Sequence, residues 1–237
     1  MMASLRTAFL SLFFPRTCPM CGHYMEEHQF SDSIADGRLC EDCLRKLPRT
    51  EQAEIRNNIT EMCLADDKLI NRAGAFMFYE KDHPIKQVIH KMKYKEQPFI
   101  AYQLGRQAAM EWQYADFFDG IDIIVPMPLH PKRLRERGYN QSEYIARGIR
   151  DITRIPIDSA HVVRARNTPQ QALKGGEERK DNVAKAFDVI HPEDLAGKHI
   201  LVVDDLITTG ETMKACIKEM HRIKGATFTV FALCKAQ

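Results

Sequence analysis

Ile200-Leu-Val-Val-Asp-Asp-Leu-Ile-Thr-Thr-Gly-Glu-Thr212 is the stretch whose reading decides the fold. An apolar, β-branched run ends in adjacent carboxylates, Asp204 and Asp205. A loop of small and hydroxyl residues follows, then residues 211–224 with helical spacing. Thr208, Thr209, Gly210, Glu211 and Thr212 offer backbone N–H groups and hydroxyls to one concavity, and Gly210 allows close backbone approach. The helix N-terminus adds a partial positive charge suited to a phosphate. The paired acids would repel a bare anion. At a strand end, however, they accept hydrogen bonds from sugar hydroxyls and help hold magnesium, often through water. A ligand-free N-capped helix needs only one hydroxyl or carboxylate, less than this array supplies. Neither a Gly-Lys-[Ser/Thr] element nor Gly-x-Gly-x-x-Gly occurs, which sets aside the other common phosphate loops.

Working outward, strands and helices alternate from residue 73. Ala73–Tyr79, Ile121–Val125, Ile200–Val203 and Thr227–Leu233 read as strands. Residues 85–92, 100–112, 140–151 and 211–224 read as helices, and 164–182 as a mobile polar loop. Strands separated by helices imply an α/β fold with a mostly parallel sheet covered on both faces, binding ligands at the carboxyl ends of its strands.

Upstream, Cys18-Pro-Met-Cys21 and Cys40-Glu-Asp-Cys43 form two Cys-x-x-Cys knuckles at zinc-ribbon separation. Each sets two thiolates on one side of a turn, and together they supply the four soft ligands that tetrahedral zinc prefers. With every ligand a cysteine, no position is left for water, so the zinc is structural. Disulfides are the rival reading, disfavoured in a reducing compartment, and a redox dithiol would need a βαβ context that is missing here. His23 and His28 read as solvated loop residues. Cys63, Cys216 and Cys234 read as small buried hydrophobes. The organisation expected is 1–47 as N-terminal helix and zinc ribbon, 48–72 as connector with one helix, and 73–237 as the α/β domain that carries the phosphate loop.

The net charge of +2 neither demands nor excludes nucleic acid. Two local groups carry the basic signal: Lys132, Arg133, Arg135 and Arg137, and Lys86, Lys91, Lys93 and Lys95 interleaved with His90 and Tyr94. Solvated helix faces explain them as well as a track for diphosphate or a nucleic-acid backbone, with Tyr94 and Tyr139 as stacking platforms. The apolar patch from Ala8 to Phe14 is too short to span a bilayer and lacks a cleavage pattern. It reads as a docked helix or a membrane-surface one. No transmembrane segment is expected, and the cytoplasm is the default location.

The 200–212 element resembles the phosphoribosyl pyrophosphate motif of type I phosphoribosyltransferases, and the whole chain resembles the ComF family of competence-associated proteins. The matching residues are the cysteine pairs, Lys93-Tyr94, Pro126-Met-Pro128, Arg137-Gly-Tyr-Asn-Gln141, Thr168 with Gln171, Arg179 with Asn182, Asp204-Asp205 and Thr208–Thr212. Tyr139 stands where that family commonly has Phe, and Leu173 lies one position closer to Gln171 than is usual. The resemblance implies that Asp204 and Asp205 form the catalytic acid pair on the ribose hydroxyls and that residues 208–212 hold the 5-phosphate. It puts Pro126 and Met127 near the pyrophosphate, with Arg133, Arg137 and Lys93 as further pyrophosphate or nucleic-acid candidates. Zinc, and magnesium with phosphoribosyl pyrophosphate, are the implied cofactors. Implied partners are that metabolite or a nucleotide, single-stranded DNA, and a DNA-uptake helicase or other competence protein through which the chain could meet the membrane. Three roles stay open: a DNA-handling binding module, an enzyme moving a ribosyl 5-phosphate to a nitrogen nucleophile, and a sensor without turnover.

Overall fold

The computed structural model describes residues 17–25, 38–80, 82–94, 97–165 and 186–236. The patch at 8–14, His28, Lys95, the side chain of Tyr94 and most of the 164–182 segment, with Thr168, Gln171, Leu173, Arg179 and Asn182, lie outside them. In chain order come α1 (Glu41–Arg45), α2 (Ile59–Leu64), β1 (Ile70–Tyr79), α3 (Ile85–Tyr94), α4 (Pro98–Trp112), β2 (Ile123–Pro126) and α5 (Pro131–Arg137). There follow α6 (Gln141–Thr153), β3 (Val162–Arg164), β4 (Phe187–Val189), β5 (His199–Ile207), α7 (Glu211–Met220) and β6 (Thr227–Ala236).

β1, β6, β5 and β2 form, in that order, a sheet parallel throughout. Alternation along β5 sends Leu201 and Val203 into one core with α4 and α6, and Ile200 and Val202 into another with α7. Both faces are therefore covered, as unbroken apolar runs in parallel strands demand. From β2 the chain moves outward to Ile157, which bridges Ile124, whereas from β5 it crosses the other way through α7 to β6. The strand order thus reverses between β2 and β5. Such a switch point opens a crevice at the carboxyl ends, and Asp204, Asp205 and Pro126 sit there.

Several boundaries differ from the sequence reading. β5 continues past Val203 through the acid pair, with Asp204 opposite Ala232 and Ile207 opposite Lys235. β1 starts at Ile70, earlier than its apolar run. Polar Arg72 is accommodated because Asp116 pairs with it at 2.7 Å, Ala53 O accepts from it, and its guanidinium covers the Phe117 ring. Residues 48–61 cap the β1 edge with side chains. Gln52 Oε1 accepts from Ala75 N at 3.1 Å, Asn58 Nδ2 donates to Ala73 O at 2.9 Å, and Thr50 Oγ1 donates to Ala75 O. Backbone pairing covers the rest of this edge: Thr50 N donates to Phe76 O at 3.2 Å, Phe78 N donates to Pro48 O at 2.7 Å, and Arg49 bridges Met77 antiparallel. The first basic group forms α5, a helix, as one of its two readings expected. His130 caps its N-terminus, Pro131 occupies its first turn, and Gly138 closes it at φ 77°. The antiparallel pairing of β3 with β4 has no counterpart in the sequence reading.

α4 and α6 approach with glycine against backbone. A Cβ on Gly148 would strike Tyr102 O and Arg106 N, and one on Gly105 would strike Ile145 O. Gly148→Ala should therefore cost about 3 kcal/mol and lower the thermal midpoint by roughly 6–12 °C, readable by calorimetry. Among the described residues no helix is long and apolar enough to cross a membrane.

Candidate functional site

The four knuckle cysteines converge. Their Sγ atoms all lie within 4.8 Å of one another, with Cys21 and Cys40 sulfurs 3.8 Å apart. Tetrahedral zinc–thiolate bonding places sulfurs about 3.8 Å apart, so the cluster has the size and donor chemistry of a metal site. Turn hydrogen bonds hold the first knuckle: Gly22 N donates to Cys18 O and Cys18 N to His23 O, both at 2.8 Å. Gly22 takes the positive φ of 75° that this turn needs. Burial opposes ionisation of Cys18, but backbone N–H groups of Cys40, Cys21 and Met20 outweigh it and bring the thiol down to about 7. Cys43 is pushed the other way by burial and by the neighbouring thiols. His23 is exposed and belongs to no metal cluster among the described residues.

The cluster is fastened to the larger domain. Cys18, Met25, Leu39, Cys43 and Leu47 share the α4 core. Gln103 exchanges two hydrogen bonds with the Leu39 backbone at 2.7 and 3.0 Å, and Lys91 Nζ donates to Pro19 O at 2.7 Å.

At the switch point the acid pair lies among cations. Lys93 Nζ, from the last turn of α3, is 3.0 Å from Asp205 Oδ1. Ser142 Oγ, at the start of α6, donates to Asp204 Oδ1 at 3.1 Å, and Asp205 N donates to the same oxygen at 2.8 Å. Burial, then the Asp205 charge, lifts the Asp204 carboxyl from its ordinary range to about 7. Burial depresses Arg164 on β3, and the nearby Arg133 charge depresses it further, while Asp204 works in the opposite direction. Arg137 Nη1 donates to Gln141 Oε1 at 2.9 Å, and the Arg137 charge is felt at Lys93. Gln141 is only 1% exposed, and its Nε2 finds no acceptor among the described residues.

The cup beyond β5 is open. Gly210 takes φ 80°, and no side chain caps α7. Among the described residues no acceptor meets the amide N–H groups of 209–213. Thr208, Thr209, Glu211 and Thr212 are exposed around them. The connector buttresses this cup: a Cβ on Gly210 would meet Leu64 Cδ2 at 2.9 Å, and Asp66 pairs with Lys214 of α7 at 3.0 Å. Lys235, just 4% exposed, donates to Thr208 O at 2.8 Å and to Ala236 O at 2.7 Å. No carboxylate partner for it lies among the described residues, so a buried cation stands behind the cup.

Lys93 thus pairs with Asp205, Arg137 is felt at Lys93 and Arg133 at Arg164, with the cup next to the acid pair. Met127 does not offer a donor. Its N–H goes to Val203 O at 2.8 Å, its carbonyl accepts from Asn140 Nδ2 at 3.1 Å, and its side chain is buried. With Pro126 it forms crevice wall. The outer residues Lys132 and Arg135 face solvent. Tyr139 donates to Met92 O and rests edge-on against Tyr144, so it serves as a brace on α3. Ser142, Arg164 and Lys235 were missed in the sequence, and Gln141 was quoted there only as part of a motif, without a site role. Their only signals there were a hydroxyl and an amide just inside a helix start, and charges inside apolar strands.

A family model described as phosphoribosyl transferase domain matches residues 149–237. The DNA utilization protein YhgH of Shigella flexneri is 32% identical over 155 residues, covering 64% of this chain and 67% of that protein. Competence protein F of Haemophilus influenzae is 23% identical across 93% of this chain and 86% of its own length. Competence protein ComFC of Bacillus subtilis is 24% identical across 92% and 78%. Among solved structures, the allosteric regulatory enzyme of purine biosynthesis aligns at 16% identity and TM-score 0.36, over 55% of this chain and 25% of that one. Taken with the parallel sheet, its switch-point acids and the four-cysteine cluster, these relatives show that the chain belongs to the ComF family of phosphoribosyltransferase-like proteins.

Proposed function

We propose that the crevice binds a 5-phosphorylated ribose, as phosphoribosyl pyrophosphate or a nucleotide, and that this binding supports the protein's handling of single-stranded DNA on its basic surface during DNA uptake. The observation that carries the reading is the unspent row of amides at 209–213 beside two carboxylates. Asp204 and Asp205 accept from the ribose hydroxyls. Thr208, Thr209, Gly210, Glu211 and Thr212 enclose the 5-phosphate, with the Lys235 charge behind them. Arg133, Arg137 and Lys93 line the side on which a diphosphate or the next nucleotide would lie, and the orphaned Gln141 Nε2 is suited to one of its oxygens. Magnesium would come with a diphosphate, on phosphate oxygens. Zinc is the metal proposed for the cysteine cluster, in a structural role. The units 1–47, 48–72 and 73–237 are kept as an organisation in which the first two support the third. The names of the competence relatives support the DNA role, and the solvent-facing charges of α5 give it a surface.

Turnover is the second reading, favoured by an Asp204 carboxyl poised near neutrality. In it the ribosyl C1–O bond to diphosphate breaks, a nitrogen nucleophile forms the C1–N bond, and its proton leaves to a base.

Titration separates these. Ribose 5-phosphate should bind, and Lys235→Met should weaken it about tenfold by removing the charge behind the cup and its hydrogen bond to Thr208 O. Single-stranded DNA should bind with a steep salt slope. Lys132→Glu with Arg135→Glu should reduce that slope by roughly one to two units and leave ribose 5-phosphate affinity unchanged. Equal DNA slopes in the two proteins would remove α5 from the interface. Diphosphate release with a nitrogen acceptor would establish the enzyme.

A further inference from the structure

The acid pair of the crevice has a cation of its own. Lys93 and Asp205 are both largely withdrawn from water, at 15% and 12% side-chain exposure, with Nζ and Oδ1 3.0 Å apart. The backbone that carries Lys93 is fixed from both sides. Met92 is fully buried, and its carbonyl accepts from Tyr139 Oη. Burial works against the ammonium, but the charges of Asp205 and Asp204 outweigh it and hold Lys93 above the ordinary lysine range.

Each acid is half used. Asp204 Oδ1 accepts from Ser142 Oγ and Asp205 N, and Asp205 Oδ1 accepts from Lys93. The Oδ2 atom of each meets no protein donor among the described residues. Two free carboxylate oxygens on adjacent residues suit the two hydroxyls of a vicinal diol. They do not suit a divalent ion, which would sit beside a fixed ammonium and share a carboxylate already neutralised by it. Magnesium in particular demands near-octahedral oxygen ligation and gives up water reluctantly.

We infer that Lys93 is the resident cation of this acid pair, so that the crevice grips the vicinal hydroxyls of a 5-phosphorylated ribose without a divalent metal ion. This rests on the sugar-phosphate reading above and narrows its ligand class. Monophosphates such as ribose 5-phosphate and ribonucleoside 5′-monophosphates bind metal-free. A diphosphate-bearing sugar brings its own metal, held on its own oxygens. A 2′-deoxyribose loses one of the two hydroxyl contacts.

The test uses the full chain in resin-treated, magnesium-free buffer, since a chelator would also attack the cysteine cluster. Calorimetric affinity for ribose 5-phosphate is expected to agree within twofold with and without added magnesium. Lys93→Arg, which keeps the cation, should behave alike. Lys93→Met should bind at least tenfold more weakly without magnesium and recover when it is added. A second readout needs no sugar. Manganese titration of the ligand-free protein, followed by water proton relaxation, should show no site at the acid pair of the natural protein. It should show one in Lys93→Met that Asp205→Asn abolishes. A tenfold loss of affinity on removing magnesium from the natural protein, or a manganese site there that Asp205→Asn removes, overturns the inference. If ribose 5-phosphate fails to bind under any condition, the sugar-phosphate reading falls, and the manganese titration still decides the role of Lys93.

Discussion

Cys43→Ser is expected to release the metal and lower the thermal midpoint by roughly 10–15 °C. Cys43 is 5% exposed and lies in the same core as Leu39, Leu47 and the α4 face. Four converging thiols cannot all ionise without a cation among them. Structural zinc contributes about 10–16 kcal/mol of binding free energy at neutral pH, much of it spent on ordering a segment with little core of its own. Without it, the Gln103–Leu39 and Lys91–Pro19 hydrogen bonds lose their framework, and the apolar side chains of the knuckles leave α4 exposed. A net loss of about 4 kcal/mol over a chain of this size gives the shift stated. Elemental analysis and calorimetry should show metal near one equivalent in the natural protein and in Cys63→Ser, whose sulfur lies outside the cluster, and a trace in Cys43→Ser. One equivalent retained in Cys43→Ser, or a midpoint within 2 °C of the parent (about 1 kcal/mol or less), would discard the structural role.

The parts of this molecule legible in sequence are those whose chemistry is local. Cys18 with Cys21, and Cys40 with Cys43, announce a metal because one turn must present both sulfurs. Residues 200–212 announce an anion site because strand, loop and helix start are contiguous. The partners of those groups were not legible. Lys93 reads as one member of a basic run, and only the burial of α3 in the core it shares with α4 brings it beside Asp205. Lys235 sits in an apolar strand, where it looks like an error until Thr208 O is found beside it. The stretch from Thr50 to Glu61 looks like a linker, since no periodicity reveals side chains that substitute for a neighbouring strand. Strand ends are obscured for a related reason. Propensity marks Asp204 and Asp205 as breakers, and parallel pairing with β6 overrides it.

The two acids, adjacent in sequence, should move stability in opposite directions when each is changed to its amide. Asp204 is half-buried, and its carboxyl is lifted from about 3.8 to about 7 by burial first and the Asp205 charge second. Between those values the folded protein holds a proton that the unfolded chain has released, so more protons are bound in the native state. Stability therefore falls as pH rises from about 4 to about 7 and levels off above that, by at most about 4 kcal/mol at roughly 1.4 kcal/mol per unit. Asp204→Asn removes that slope and should melt higher than the natural protein at pH 8, by several degrees, and nearly level with it at pH 4. Asp205→Asn instead leaves the Lys93 ammonium buried without its partner, a loss of about 3 kcal/mol. Binding should follow neither order. Both variants lose a charged acceptor for a ribose hydroxyl, so ribose 5-phosphate affinity should drop about 10- to 100-fold in each. In the natural protein that affinity should climb from pH 6 to 8, its lower part from the second ionisation of the phosphate near 6 and its upper part from Asp204. Asp204→Asn should keep the lower part alone. The site thus trades fold stability for an ionised acid at the crevice, as active centres commonly do. Melting curves across pH and calorimetric titrations at three pH values read every one of these outcomes. If Asp204→Asn melts no higher than the parent at pH 8 and binds the sugar phosphate as well, Asp204 is neither strained nor part of the site.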